Sequence, residues 1–217
     1  MKHFKSTSLA DQVFDRLEND IIQGVYAKGE ILTELKLVEQ LGVSRTPIRE
    51  ALRRLEQERL IEDTGKGSKV LGITEDDLLD IMTIREQVEG VAAYYAALNM
   101  TEENRKELTH LVDLQEFYYS KGDAERLRQV DDQFHDAIYY MSKRNVIIDT
   151  LIPLHRKTRR FRRIAMNDWN RVPKTKQEHY EIYQALVSGN AELASELTAK
   201  HISNAKIHML EGVKEHG

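Results

Sequence analysis

The stretch VDDQFHDAIYYM, residues 130–141, sets Asp131 and His135 four apart beside Val130, Phe134, Ala137, Ile138 and Met141. Those apolar residues recur at helical spacing, so one face of this helix turns toward a core. Positions four apart on a 3.6-residue turn are separated by about 40° and stack one above the other, so the carboxylate and the imidazole can address one object. Two more histidines occupy comparable places. His179 shares a stripe with Ile182 and Leu186, and His201 continues Leu193 and Leu197 toward Ala205. Neutral imidazoles and a carboxylate are what Zn²⁺, Ni²⁺, Mn²⁺ or Fe²⁺ accepts, and four protein ligands would leave positions for water or a small anion. The simpler reading of each histidine alone is a core imidazole satisfied by a hydrogen bond. Spacing along the chain cannot by itself bring three helices together.

The rest of the chain must supply the helices that position these groups. Its 217 residues are enough for one large domain or two small ones. An apolar share of 41% with 31% charged residues is that of a soluble globular protein, which excludes a disordered chain. No run approaches the roughly 18 apolar residues needed to cross a bilayer, and MKHFKSTSLADQ lacks the apolar centre of a secretory signal. No membrane association and a cytoplasmic location are expected. The chain has no cysteine, so disulfides, thiolate catalysis and thiolate zinc sites are excluded and any metal must be held by His, Asp or Glu. The net charge of −4 argues against a basic coat for bulk nucleic-acid binding but permits a local basic face.

The chain divides near Gly72, giving residues 1–72 and 73–217. The first segment reads as helix, turn, helix, turn, helix and hairpin. Helices are expected over Leu9–Gln23, with Val13, Leu17, Ile21 and Ile22 as the stripe, and over Glu34–Leu41, ended by Gly42. A third helix opens at SRTPIREALRRLE, with Ser44 as N-cap and Pro47 tolerated in the first turn. There Ile48, Ala51, Leu52 and Leu55 face inward, while Arg45, Arg49 and Arg53 line an exposed basic face. TGKGS then turns between two short β-prone pieces, a hairpin signal. This is the order of a winged helix-turn-helix. Arginines near the start of its recognition helix match guanine O6 and N7, Thr46 can bond a phosphate or base, and Lys66, Gly67 and Lys69 suit a wing on the DNA backbone or minor groove. A solvated charged face is the alternative for an isolated basic helix, but turn, proline and glycine wing occur together.

Thr74 and Asp77 open the second segment as N-cap and capping-box residues. Of 32 Lys and Arg and 36 Asp and Glu in the chain, 12 of each fall within residues 1–72, so the remaining 20 against 24 make the second segment acidic. Six helices are expected, over 74–98, 102–120, 123–142, 144–166, 174–188 and 190–212. Together they form an all-α helical bundle with sites between facing helices, and the fold as a whole is mostly α.

GVYAKGEILTELKLVEQLGVSRTPIREALRRLEQERLIED closely resembles the DNA-binding domain of the GntR family of bacterial transcription regulators, with SRTPIREAL its most specific signature. The resemblance spans residues 9–71 and implies that Arg45, Thr46, Arg49 and Gly67 contact DNA. Leu35 stands where some relatives carry a basic contact residue. Arg59 stands where glycine is common, a departure expected to matter little. DDQFH, an EH opening a helix, and a histidine 22 residues later resemble the FCD ligand-binding domain of the FadR branch. That resemblance implies metal ligands at Asp131, His135, His179 and His201.

In IMTIREQVEGVAA, Arg85 and Glu89 fall within the apolar stripe, either as a buried ion pair or, by resemblance, with Arg85 contacting a carboxylate effector. The basic run 155–163 reads as a solvated face, with Arg159 or Arg162 as further anion ligands. A homodimeric regulator is expected, with two winged domains on a pseudo-palindromic double-stranded DNA operator and affinity set by a small organic acid at the metal; the family resemblance, not the sequence itself, implies a repressor. The alternatives are a metal-dependent hydrolase and a regulator whose metal is purely structural.

Overall fold

The computed structural model describes residues 8–165 and 171–216. The chain forms two compact units, one ending at Thr74 and the other beginning at Glu75. The fold is the expected one: a small winged unit followed by an all-helical one.

In the first unit α1 (Leu9–Ile22), α2 (Glu34–Leu41) and α3 (Arg45–Gln57) enclose a core with a three-stranded sheet of β1 (Ile31–Leu32), β2 (Ile61–Asp63) and β3 (Ser68–Val70). Phe14, Leu17 and Ile21 of α1 meet Ile48, Ala51 and Leu55 of α3, as the apolar spacing of both helices requires. Ser8 and Asp11 form a capping box at α1, and Thr33 accepts the Lys36 N–H at α2. Gly42 ends α2 in the left-handed conformation. Ser44 holds the N-cap backbone position of α3 without a side-chain cap bond. The expected cap is absent because Pro47 occupies the third helical position and has no N–H to donate.

The strands run antiparallel in the order β1-β3-β2. The β2–β3 hairpin is the expected wing. Strand β1 escaped the sequence reading because two residues carry no alternation to detect. It also explains Gly67, whose φ is +142° and whose position would put a Cβ 2.8 Å from the Leu32 carbonyl oxygen and 2.8 Å from Ile31 Cγ2. Glycine is required there for the wing to pass β1, whatever it does toward DNA.

Arg59 matters more than expected. It lies at φ 57°, a left-handed conformation that costs a residue with a Cβ roughly 1–2 kcal/mol. Arg59→Gly is therefore expected to stabilise this unit by about 1 kcal/mol, raising Tm by about 4–8 °C for a domain of this size. Thermal unfolding checks this; an unchanged or lower Tm would show that the strain is relieved elsewhere.

The second unit comprises α4 (Glu75–Leu98), α5 (Glu102–Lys121), α6 (Ala124–Met141), α7 (Asn145–Lys157), α8 (Arg159–Ala165), α9 (Val172–Val187) and α10 (Ala191–His216). Ala93, Ala96 and Ala97 of α4 share a core with Leu108 and Leu111 of α5, Phe134 and Ile138 of α6, Ile182 and Leu186 of α9 and Ala194 of α10. Small residues let α4 and α10 pack closely. At Gly90 an added Cβ would sit 3.0 Å from the Ser195 carbonyl oxygen, so its absence brings α10 against the stretch of α4 that carries Glu89.

Two sequence expectations are corrected. The helix expected over 144–166 breaks at Thr158 into α7 and α8, and its last residue lies outside the described ones. Buried Thr158 donates its hydroxyl to the His155 carbonyl at 2.9 Å, a local bond that competes with the helical ladder. Leu193, read as inward, is 40% exposed. Among the described residues no helix is long and apolar enough to cross a membrane.

Candidate functional site

The bundle brings together three helices that the sequence could not join. α6 supplies His135, α9 His179 and α10 His201, and one ring nitrogen from each lies within 4.8 Å of the others. All three residues are buried. Phe134 stacks on the His179 ring at 4.6 Å between centroids and walls one side of the cluster.

Each imidazole is also held from behind. His135 Nδ1 lies 3.0 Å from Glu89 Oε2, His201 Nδ1 lies 2.8 Å from Glu178 Oε2, and His179 Nδ1 lies 3.0 Å from Gln115 Oε1. Burial would raise the Glu89 carboxyl, but Arg85 and His135 overcome this and hold it at about 2. Glu178 is likewise pushed up by burial and brought down to about 2 by its bonds to His201 and Arg171. Both are therefore acceptors only. Burial pulls His179 and His201 below the usual imidazole value, so these rings are neutral near pH 7. On His179 and His201 the acceptors draw the ring proton to Nδ1 and leave the lone pair on Nε2, and Glu89 holds His135 by the same ring atom.

This arrangement tests the fit to a metal. His179 Nε2 and His201 Nε2 stand 3.2 Å apart, and with both Nδ1 atoms protonated two lone pairs face each other. A cation between them removes the repulsion. Two nitrogens on one tetrahedral ion, at the usual 2.0–2.1 Å, stand about 3.3 Å apart. Asp131, the fourth residue expected from the sequence, is buried at the edge of the group, with Oδ1 3.7 Å from His179 Nε2. The residues present fit a divalent transition metal with an imidazole-rich ligand set.

The histidines open on a cavity that Arg85, Arg162, Arg171 and Gln115 also line. Arg85 is buried in an ion pair, its Nε 2.6 Å from Glu89 Oε1, and it donates from Nη1 to Thr158 Oγ1 at 3.0 Å. The buried-pair reading of Arg85 and Glu89 therefore holds. Glu89 bridges that arginine to His135. Arg171 grips Glu178 with both terminal nitrogens, at 3.2 and 3.1 Å, and Glu178 bridges it to His201.

Glu89's second role, Gln115 and Glu178 were missed in the sequence. Gln115 left a usable signal, a polar residue continuing the stripe of Leu108 and Leu111 at helical spacing. His155 was missed as well: it is buried, with Nδ1 2.9 Å from Asp136 Oδ1 and its ring centroid 5.2 Å from that of His135.

In the first unit, Arg45, Thr46, Arg49 and Arg53 are exposed along α3. Arg49 and Arg53 line a groove shared with Lys66 and Gly67 of the wing. Arg49 donates from Nε to Glu34 Oε1 at 2.7 Å, which fixes the guanidinium from one side. Arg54 belongs to the fold instead, lying over the Phe14 ring and paired with Asp11.

A basic helix beside a glycine wing, joined to a histidine-lined helical bundle, defines a winged-helix regulator with a second, all-helical domain. Residues 9–70 match the model for bacterial regulatory proteins of the gntR family, and residues 80–204 match the FCD domain. The chain belongs to the GntR family of transcription regulators, in the form that carries an FCD domain, and regulators of this family bind DNA operators. It is 27% identical, over 93% of its length and 89% of the relative's, to the probable D-xylose utilization operon transcriptional repressor of Paenarthrobacter nicotinovorans. It is 32% identical to the regulator McbR of Escherichia coli over 70% of this chain and 67% of McbR. The solved structure of E. coli McbR/YncC superposes with a TM-score of 0.79 at 24% identity, covering 97% of this chain and 99% of that one.

Proposed function

We propose that this chain is a homodimeric cytoplasmic repressor, not an enzyme, whose operator affinity is set by a small carboxylate bound at a divalent transition metal. His135, His179 and His201, with Asp131 beside them, would hold the ion. When bound, it supplies a Lewis-acid site for a carboxylate oxygen. The observation that carries this reading is the set of three buried imidazoles, each held at Nδ1 by a neighbouring acceptor, that bring one ring nitrogen apiece to within 4.8 Å of the others.

The cavity offers about 60 Å³ to the centres of water-sized atoms. A cavity of that size favours a compact acid over a long acyl chain. Arg45, Thr46 and Arg49 read the operator, with Lys66 and Gly67 on its backbone. The carboxylate changes DNA affinity only by the difference between its affinities for the DNA-competent and DNA-incompetent states.

The test is operator binding by fluorescence anisotropy, with metal-loaded and chelator-stripped protein, across acetate, lactate, malate, 2-oxoglutarate and citrate. At least one acid is expected to weaken operator binding several-fold only when metal is present. An equal response of both forms would sink the metal-anchored reading.

A further inference from the structure

The cations of the metal cavity are not equivalent. Arg85 is neutralised by Glu89 and also bonded to Thr158, Arg171 is gripped by Glu178, and Lys176 is paired with Glu116. Arg162 differs. It is buried to within 6% of full burial and donates from Nη2 to Asp132 Oδ1 at 2.5 Å, while its Nη1 has no acceptor among the described residues. Gln115 is 2% exposed and gives its Oε1 to His179, and its Nε2 likewise lacks an acceptor among the described residues. Both residues line the cavity that the three histidines share.

Leaving buried donors unpaired costs far more than a typical hydrogen bond returns, so two of them on one cavity call for an acceptor. We propose that Arg162 and Gln115, rather than Arg85, form the anion subsite of this cavity, taking a small carboxylate whose other end faces the histidine cluster. The proposal rests on the carboxylate reading above and names the residues that recognise the acid. A carboxylate offers only acceptors, which matches two donors, and it balances a buried guanidinium whose counter-charge Asp132 shares with Arg159. Arg85 acts at one remove, setting the proton on His135 through Glu89. Burial also lowers Arg162 from the ordinary arginine value, against the pull of Asp132, as expected of an incompletely compensated cation.

The experiment is a thermal-shift titration of the metal-loaded full chain with the same five acids and, as a further arm, inorganic phosphate. An acid that raises Tm is expected to bind about 10- to 100-fold more weakly to Arg162→Gln and several-fold more weakly to Gln115→Leu. Asp132→Asn should act in the opposite direction, tightening binding by freeing Arg162 from its competing carboxylate, and it keeps the test decisive if Arg162→Gln does not fold. Normal acid binding by Arg162→Gln, or no gain in Asp132→Asn, overturns the subsite while leaving a metal-anchored effector intact. No shift with any acid in the wild-type protein overturns both. A shift with phosphate alone overturns the assignment to carboxylates.

Discussion

Arg49→Ala is expected to weaken operator binding by about 10- to 100-fold, the value of one bidentate arginine contact to a guanine edge, with metal content unchanged. The expectation follows from how the guanidinium is held. Arg49 is exposed near the start of α3, and its Nε is engaged by Glu34 at 2.7 Å. That bond leaves the two terminal nitrogens as a fork, the shape that matches guanine O6 and N7. Arg49→Lys should recover little, because an ammonium can replace the charge but not the fork. Glu34→Gln separates the parts further: the fork remains, its orientation loosens, and the loss should be smaller than for Arg49→Ala. Electrophoretic mobility shifts at fixed salt, with specific and scrambled duplexes, distinguish base reading from phosphate attraction. Equal weakening on both duplexes would make Arg49 a backbone contact and leave the reading of bases to Arg45 or Thr46.

The winged unit was largely legible because its elements announce themselves locally. The stripes of α1 and α3, the glycine after α2 and the glycine-rich hairpin each carry a physical cause within a few residues. What stayed hidden needed neighbours distant in sequence. Strand β1 exists because β3 lies beside it, and the steric need for Gly67 appears only when β1 is in place. The apolar spacing around His135 predicted a buried residue, and the residue is buried. It gave no sign that Glu89, 46 positions earlier, would fix its proton. Arg85 and Glu89 were legible as an ion pair because both lie on one helix four apart. Arg162 was legible only as one of a pair with Arg159, since the break at Thr158, which decides which of those arginines turns inward, left no mark in the basic run.

The largest effect on stability is expected in the metal-loaded protein. If the ion binds at 1,000 times its dissociation constant, it contributes about 4 kcal/mol to the folded state, so chelation should lower Tm by about 8–16 °C in a unit of this size. His179→Ala should abolish that difference. The residue joins the cluster at its most crowded point: Nε2 lies 3.2 Å from His201 Nε2 and 3.7 Å from Asp131 Oδ1, and Nδ1 is held by Gln115. Its removal takes away one ligand and the ring that Phe134 stacks on, so some loss of metal-free stability should accompany the loss of affinity. Comparison within the variant isolates the first effect. Tm with and without chelator should coincide in His179→Ala, while the wild-type values separate. Gln115→Glu supplies the complementary case. It keeps an acceptor behind His179 and adds negative charge near the ion, so metal affinity should hold or rise even as the donor side of the amide is lost to the anion. A chelator response in His179→Ala as large as in the wild type would place the ion elsewhere in the chain.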